Sequence, residues 1–444
     1  MTFDRVGSVV RSLRPFGLIL VTLVIGGLLL AATGTAVVYV TPADDTANSP
    51  ETLVETDTYA EEIEMMHEHG ITGDGVRVGI IGSTFDAGHE PIEPQVVSHR
   101  QLTIDRQYRT SDPDHDTAVA EVVAETAPES ELVLVSLGSR PSATVYREAI
   151  GQLLYRDVDI ILDAGSYFPQ TRSDAEAFDR AVEAAREEGV VVLTSAGNYA
   201  NNNWVDTVTE NGWVDFDEDG TIEANQVGDG RVSGQLTLRL YWDEPADLEL
   251  YLYRHLPDAA DKVVAKSTDE RGPNGIEGID VLVPSGEYYV AVYAESIDDG
   301  TDVRLISGTQ PLSHTVPEES VTAPGSSDAA ISVAATDGRM LRADSSRGEG
   351  VAVSGPGVAG TERSDLEGTS AATSHVAGTV ALVQSHEPEL APNETERELK
   401  ASRAGEPSGL VSPQRMLSSI DPEAELPIDE DDRSTSNETH WTAR

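Results

Sequence analysis

The chain of 444 residues contains no cysteine. Disulfide bonds, thiolate-bound metals and a cysteine nucleophile are therefore excluded. The redox state of the surrounding compartment stays open, because a chain without thiols is compatible with an oxidising and with a reducing environment.

Basic residues are few: 30 Lys and Arg face 78 Asp and Glu, which gives a formal net charge of −48. Such a chain lacks the cationic surface that binds phosphate backbones, so nucleic acid is excluded as a partner. The acidic residues are spread along the whole chain, aromatic residues make up only 5%, and Lys is rarer than Arg. This composition predicts adaptation to very high salt, where charges are screened over about 3 Å at 1 M. The alternative is an acidic protein from ordinary salt.

Charged residues are absent from residues 16–40, an apolar run that is long enough to cross a membrane. Basic residues in front of such a run predict that residues 1–15 are cytoplasmic and that the chain from residue 41 onward is extracellular. We therefore expect a single-pass protein of the cell membrane. A cleaved signal peptide is the alternative, although its apolar region is usually shorter. The basic residues in front of the run are Arg5, Arg11 and Arg14.

After a polar linker at residues 41–58 and a helical segment from Tyr59 to His69, apolar strands alternate with amphipathic helices. This alternation predicts an α/β fold with a doubly wound parallel sheet. The predicted strands are 76–82, 131–136, 158–162 and 190–195, and the predicted helices are 116–126, 143–155 and 173–188.

The pattern changes at residue 208, where the helical periodicity ends and short alternating strands follow up to residue 313. These strands have the sequences QLTLRLYW, DLELYLYR, IDVLVP and YYVAVYAE, and they predict an inserted antiparallel β-sandwich. The first part of the α/β domain is then 59–207 and its second part 314–405. Residues 406–444 are acidic and polar and predict a disordered tail.

Three polar residues lie at the ends of predicted α/β elements. Ser370 precedes a helix in GTSAATSHVAG, His115 begins a helix in PDHDTAVAEVV, and Asn198 follows a strand in TSAGN. Alone, each has an ordinary interpretation, respectively a helix cap, a solvated loop side chain and a turn former. Together they supply a nucleophile, a base and an oxyanion donor, which acyl transfer requires.

These motifs resemble those of the subtilisin-like serine peptidases, the subtilases, here of a haloarchaeal type. GTSAATSHVAG is similar to the serine signature of that family, SAGN to its oxyanion segment, HDTAVAEVVAETAP to its histidine segment and GITGDGVRVGIIGSTFD to its aspartate segment. The resemblance covers about residues 58–206 and 314–403. It implies a serine endopeptidase that acts on proteins or peptides without a required cofactor. Ser370 would be the nucleophile, His115 the general base and Asn198 the oxyanion donor.

The aspartate segment departs from the family pattern, because Gly82 stands at the position of the catalytic aspartate. One interpretation is a substitute acid, for which Asp86 is the first candidate and Asp112, Asp114 and Asp116 beside the histidine are the others. Asp116 itself stands where the family usually has glycine. The second interpretation is a Ser–His dyad, and the third is a pseudopeptidase that binds peptides at the cell surface without cleaving them.

Asp163, in VDIILDAGSYF, follows a strand at the place where the family lines its first specificity pocket. It predicts either a preference for basic substrate residues through charge pairing or a solvated, helix-capping side chain.

A further acidic segment, DFDEDGTIE, carries carboxylates at alternate positions, followed by a glycine. This spacing is typical of the first half of a calcium loop. It predicts a partial structural calcium site at Asp215, Asp217 and Asp219, with a chance cluster as the alternative.

Overall fold

The computed structural model of the chain describes residues 50–103, 113–138, 141–217, 220–269, 271–297, 300–338, 340–404 and 409–422. The predicted membrane anchor at 16–40 lies outside these ranges. Within them, no helix combines the length and apolar character that a membrane span needs.

The helices and strands follow one another as the sequence predicts for an α/β fold with an insertion. The helices are α1 Pro50–Glu68, α2 Pro113–Thr126, α3 Ala143–Leu154, α4 Arg172–Glu187, α5 Thr369–His386, α6 Pro392–Ala401 and α7 Pro413–Ile420. The strands are β1 Arg77–Gly82, β2 Val96–Gln101, β3 Glu131–Ser136, β4 Ile160–Asp163, β5 Val191–Ser195, β6 Asn203–Val208, β7 Gly212–Trp213, β8 Asn225–Trp242, β9 Ala246–Arg254, β10 Lys262–Ser267, β11 Gly275–Ile297, β12 Thr301–Ser307, β13 Ile331–Asp337, β14 Met340–Leu341, β15 Val351–Pro356, β16 Val358–Ala359, β17 Leu366–Glu367, β18 Arg403–Ala404 and β19 Leu410–Val411.

The main sheet has the strand order β18-β19-β15-β13-β5-β4-β1-β3-β2, with β14 paired to β13. All neighbours along this order are parallel except β18 with β19, and β14 is antiparallel to β13. The predicted parallel sheet is therefore confirmed. Its strands are short apolar runs because both faces of a doubly wound sheet are covered by helices.

The two sides of the sheet bury separate cores, because successive residues of a strand point to opposite faces. Ile80 of β1 belongs to the core under α2 and α5, and Ile81 belongs to the core under α3 and α4. Helix α5 is buried on nearly all sides, which its run of Ala, Val and Gly allows. Ser370 in the first turn of α5 is thereby fixed by the core of the domain.

The insertion is one hydrogen-bonded antiparallel sheet of order β10-β9-β11-β8-β12-β6, with β7 paired to β11. The predicted β-sandwich of two packed sheets is thus not confirmed. The predicted strands IDVLVP and YYVAVYAE are both parts of β11, which continues through register shifts at Val283, Gly286 and Tyr288 instead of turning back. Because β8 pairs with both halves of β11, the two halves stay in one sheet.

Both ends of the described chain contain more structure than the sequence suggests. Helix α1 begins at Pro50, inside the predicted linker, and residues 409–422 of the predicted disordered tail carry β19 and α7. The reason is mutual packing: Met416 and Leu417 of α7 are fully buried. In addition, the Glu62 carboxylate of α1 accepts hydrogen bonds from Ser412 Oγ at 2.8 Å and Gln414 N at 3.2 Å, at the start of α7.

Candidate active site

The three motif residues lie together where β1, β4 and β5 end beside the first turns of α2 and α5. Ser370 is the second residue of α5, and His115 lies in the first turn of α2. Ser370 Oγ is 3.1 Å from His115 Nε2 and 3.3 Å from the carbonyl oxygen of Ala164, which follows β4. The structure therefore brings together two residues that are 255 positions apart in the sequence.

A carboxylate contacts the second ring nitrogen of the histidine. His115 Nδ1 is 2.9 Å from Oδ1 of Asp116, the next residue in the chain. An ionised Asp116 can only accept, so Nδ1 donates its proton to the carboxylate and Nε2 is left to accept the proton of Ser370 Oγ. The three side chains thus have the contacts of a nucleophile, a general base and an orienting acid.

Asp116 occupies the space that a side chain on Gly82 would fill. A Cβ atom built on Gly82 would lie 2.8 Å from Asp116 Cγ and 2.7 Å from Phe85 Cζ, which is closer than real Cβ atoms approach their neighbours. The absence of a side chain at the end of β1 is therefore what lets a carboxylate from α2 reach this point. The carboxylate of Asp116 and a side chain at position 82 would occupy the same space, so the presence of one requires the absence of the other.

The loop after β1 holds the Asp116 carboxylate in its charged form. Oδ2 accepts hydrogen bonds from Ser83 N at 2.6 Å, Ser83 Oγ at 2.6 Å and Thr84 N at 3.0 Å. Burial by itself would raise the pKa of Asp116, but the hydrogen bond and charge of His115 together with these donors lower it. Asp116 is thus anionic at neutral pH although it is only 9% exposed.

Asp86, the first candidate for a substitute acid, does not serve His115. Its Oδ2 pairs with Arg363 Nη1 at 3.1 Å, and Arg363 Nε also pairs with Asp114 at 2.5 Å. Asp86 lies four residues beyond the end of β1, past the Ser83–Thr84 turn that binds Asp116, so its carboxylate points to the neighbouring loop. Among the candidate carboxylates that the structure describes, the one in contact with His115 is Asp116. Asp112 lies outside the described residues.

Asn198 is oriented by Thr369, the first residue of α5. Its Oδ1 accepts hydrogen bonds from Thr369 N at 3.1 Å and Thr369 Oγ1 at 3.2 Å. A backbone N–H can only donate, so the oxygen of the Asn198 amide is the atom that faces Thr369. The Nδ2 group of the same amide points away from Thr369 and can donate to another acceptor. Nδ2 lies 2.6 Å from where a Cβ on Gly368 would be, and Gly368 has a φ of +78°. Glycine is required there for both reasons.

A buried glutamate, which no sequence motif points to, fixes the loop of Arg363 to helix α2. Glu121 is 0% exposed, and its carboxylate accepts hydrogen bonds from the backbone N–H groups of Glu362 and Arg363. It also lies 2.9 Å from His89 Nε2. This network ties the loop at residues 362–363 to helix α2, which carries His115. It therefore sets the position of the loop relative to the helix.

Asp163 is neither solvated nor a helix cap. It is 0% exposed, and Oδ1 accepts hydrogen bonds from Gly165 N at 2.8 Å and Tyr167 Oη at 3.2 Å, while Oδ2 has no partner among the described residues. Burial raises the pKa of Asp163 to about 7. A side chain enclosed in this way does not present a charge to a substrate in the structure as it stands.

The predicted calcium ligands fall only partly within the described residues, because Asp219 lies outside them. Asp217 binds its own turn: its carboxylate accepts hydrogen bonds from Thr221 N and Ile222 N at 2.8 and 2.9 Å. Over the part of the chain that the structure describes, no group of three His, Asp or Glu residues is arranged to hold a metal ion. The calcium site stays a prediction.

Comparisons with known proteins concern the family and the fold. The sequence model of the Subtilase family matches residues 306–416, which include Ser370. No curated protein sequence matches the chain. The structure of the Clostridium perfringens CspB protease aligns with a TM-score of 0.59 and 14% identity, covering 82% of this chain and 99% of that one.

Two further solved structures align less closely. A lanthipeptide protease has a TM-score of 0.48 and 15% identity, covering 85% of this chain and 97% of its own. A cold-adapted subtilisin-like serine proteinase has a TM-score of 0.43 and 14% identity, covering 77% and 90%. The fold is that of the CspB protease, and residues 306–416 match the Subtilase family.

Proposed function

We propose that the chain is a subtilase-type serine endopeptidase whose catalytic acid is Asp116. The observation that carries the proposal is the position of His115, whose ring nitrogens lie 3.1 Å from Ser370 Oγ and 2.9 Å from Asp116 Oδ1. A chance arrangement would not also supply three donors to the far oxygen of Asp116. In this proposal Asp116 takes over the task that the family resemblance assigns to an aspartate at position 82.

Acylation follows from the proton positions. Ser370 Oγ attacks the carbonyl carbon of the scissile peptide bond while His115 Nε2 takes the hydroxyl proton. The imidazolium that forms is stabilised by the Asp116 carboxylate on Nδ1. The C–N bond then breaks, the leaving amine takes the proton from Nε2, and an ester remains on Ser370. Water activated by His115 hydrolyses this ester in the reverse sense.

The negative oxygen of each tetrahedral intermediate needs donors that are already in place. Asn198 Nδ2 is one, since Thr369 holds the other end of that amide. The backbone N–H of Ser370 is the second, because it lies in the first turn of α5 and has no acceptor within the helix. The positive end of the helix dipole adds to the stabilisation.

The setting of the enzyme rests on the sequence. The uncharged run at 16–40 supports a single-pass membrane anchor with the peptidase domain outside the cell. The net charge of −48 supports a high-salt environment. Proteins or peptides are the substrates that a peptidase fold implies.

The test is covalent labelling of the full-length protein, kept in detergent and molar salt, with a fluorescent fluorophosphonate. The wild type is expected to label, since the reagent reports a serine that a base activates. Ser370→Ala is expected not to label, because the attacking oxygen is gone. Ser374→Ala serves as a matched control: its hydroxyl donates to the Ser370 carbonyl oxygen one turn further along the same helix.

Three outcomes are informative. Labelling of the wild type and of Ser374→Ala, but not of Ser370→Ala, supports the proposal. Equal labelling of all three proteins would show that the labelled nucleophile is a residue other than Ser370. No labelling of a wild type that shows a cooperative melt would exclude an active serine peptidase.

A further inference from the structure

One segment separates the nucleophile from the inserted sheet. Residues 164–170 follow β4, and the carbonyl oxygen of Ala164 lies 3.3 Å from Ser370 Oγ. One residue on, the carbonyl of Gly165 accepts a hydrogen bond from Ser195 Oγ at 3.1 Å. This segment therefore runs from beside Ser370 to the inserted sheet, and we call residues 164–170 the cleft wall.

The far side of the cleft wall is bound by a buried arginine of the insertion. Arg239 of β8 is 2% exposed. Its Nε donates to Pro169 O at 2.8 Å and to Phe168 O at 3.1 Å, and its Nη2 donates to Phe168 O at 2.8 Å. A planar guanidinium with several donors can hold two adjacent carbonyl groups in one orientation, which an ammonium cannot do.

The charge of Arg239 is matched inside the same network. Its Nη2 is 2.7 Å from Asp280 Oδ2, on the neighbouring strand β11. The same oxygen accepts a hydrogen bond from Gln170 Nε2 at 2.6 Å, and the other oxygen accepts one from Thr237 Oγ1 at 2.7 Å. Asp280 therefore contacts both the arginine and the end of the cleft wall, so the ion pair ties the two together.

A second arginine of the insertion holds the segment that lies against the cleft wall. Arg304 of β12 donates from Nη2 to Val321 O at 2.9 Å and from Nε to Asn203 Oδ1 at 3.0 Å. Tyr167 of the cleft wall pairs antiparallel with Ala323, two residues beyond Val321, through a 2.8 Å bond from Tyr167 N to Ala323 O. The insertion thus fixes both backbones of this pair.

We propose that the inserted sheet is a positioning element of the substrate cleft, with Arg239 and Asp280 as the positioning residues that set the cleft wall against Ser370. The inference rests on the proposed peptidase function and adds a role for the insertion. Neither residue touches the reacting atoms. Loss of Arg239 or Asp280 shifts the cleft wall, which a polypeptide substrate must contact. The hydrogen bonds among Ser370, His115 and Asp116 keep their geometry.

The test compares two reactions of the full-length protein. Cleavage of fluorescein-labelled casein needs the cleft, whereas labelling by a small fluorophosphonate needs chiefly Ser370, His115 and the oxyanion donors. In Arg239→Gln we expect kcat/KM on casein to fall about 10-fold to 100-fold, mainly through a higher KM, because displacement of a binding segment by about 1 Å has effects of this size. The labelling rate should stay within about twofold of wild type, since no catalytic contact changes.

Arg254→Gln is the matched control. Arg254 also lies in the insertion and also donates to a carbonyl group, that of Ser285, but both belong to the inserted sheet and its hairpin. This variant should match wild type in both reactions. Arg239→Lys keeps the positive charge near Asp280 but lacks the planar guanidinium that binds both carbonyl groups. Compared with Arg239→Gln, its melting temperature should be closer to that of wild type, whereas its KM on casein should stay high.

The outcomes separate this inference from the proposed function. If wild type neither labels nor cleaves casein, the peptidase assignment fails. If wild type is active and Arg239→Gln keeps the wild-type KM, the positioning role is overturned. If labelling and cleavage fall equally, the arginine supports the whole domain and the proposal is also overturned. Should Arg239→Gln not fold, Asp280→Asn is tested by the same two rates, because its side chain is 20% exposed and the substitution removes the ion pair that ties Arg239 to the end of the cleft wall.

Discussion

Two buried aspartates lie near the first turn of α5, and their surroundings shift their pKa values in opposite directions. Asp116 is 9% exposed and Asp163 is 0% exposed. Asp116 receives donors on both oxygens, which lower its pKa against the effect of burial. Asp163 has one oxygen without a partner among the described residues, and burial raises its pKa to about 7. Hydrogen bonding to the charged form, rather than depth, decides which carboxyl can orient a histidine.

The largest test of this comparison removes the charge of Asp116. Asp116→Asn keeps the size of the side chain but no longer stabilises the imidazolium of His115, so kcat on casein should fall about 10⁴-fold, as for loss of the acid in Ser-His-Asp triads. Steady-state kinetics measure the effect. Asp86→Asn is the control and should stay within about threefold, since an exposed ion pair contributes little. The reverse ranking of the two variants would make Asp86 the acid.

The second test uses the pH dependence of stability. The pKa of Asp163 is raised from its ordinary value of 3.8 to about 7 in the folded state, so its contribution to stability is fully present below pH 3.8 and is lost as the pH rises to about 7. In Asp163→Asn this loss disappears. Relative to wild type, the variant should gain about 3 kcal/mol in the free energy of unfolding between pH 5 and pH 8.

Chemical denaturation at the two pH values checks the Asp163 prediction, with salt and denaturant held the same. Asp86→Asn again serves as the control, because Asp86 is an exposed partner of Arg363. Parallel stability curves for wild type and Asp163→Asn would show that Asp163 is ionised in the folded protein, and the contrast with Asp116 would then be wrong.

The sequence predicted three of the site residues because each stands at the end of an α/β element within a distinctive motif. Ser370, His115 and Asn198 need only that the ends of parallel strands meet on one edge of the sheet. The parallel sheet itself followed from the alternation of short apolar runs and amphipathic segments. These are local patterns, and local patterns can be recognised in one chain.

The sequence offered Asp116 only as one of several candidate acids behind Asp86, because the position of the acid depends on packing. Consecutive residues of a helix normally point in different directions, so Asp116 is a poor partner for His115 in the sequence. It becomes the partner because the end of β1 has no side chain and the following turn offers donors from Ser83 and Thr84. The bond between Arg239 and the cleft wall is similar: it joins segments 70 residues apart that no motif connects.

The third test moves the carboxylate from one element to the other. Asp116→Gly should lose activity as Asp116→Asn does, and Gly82→Asp alone should destabilise the fold by about 1–3 kcal/mol, because a side chain at 82 overlaps Asp116 and Phe85. The double variant Gly82→Asp/Asp116→Gly places one carboxylate in the same space. We expect kcat of the double variant on casein to be about 100-fold higher than that of Asp116→Gly. No recovery in a folded double variant would show that the acid must come from α2.

The smallest effect concerns the donors that keep Asp116 charged. Ser83→Ala removes the 2.6 Å hydroxyl bond to Oδ2 but leaves the two backbone donors. A charge-assisted hydrogen bond of this kind contributes about 1.5–3 kcal/mol, part of which the backbone donors and water replace. The pKa of Asp116 should therefore rise, and the shape of the pH profile of the free energy of unfolding should change: Ser83→Ala should be about 1 kcal/mol less stable than wild type at neutral pH, a difference that disappears in acid, where Asp116 is protonated. Ser142→Ala, which removes a hydroxyl at the N-terminus of α3, should leave the shape of the profile unchanged. An unchanged shape in Ser83→Ala as well would mean that the two N–H groups and His115 suffice to hold the charge, and that the contrast between Asp116 and Asp163 rests on the backbone alone.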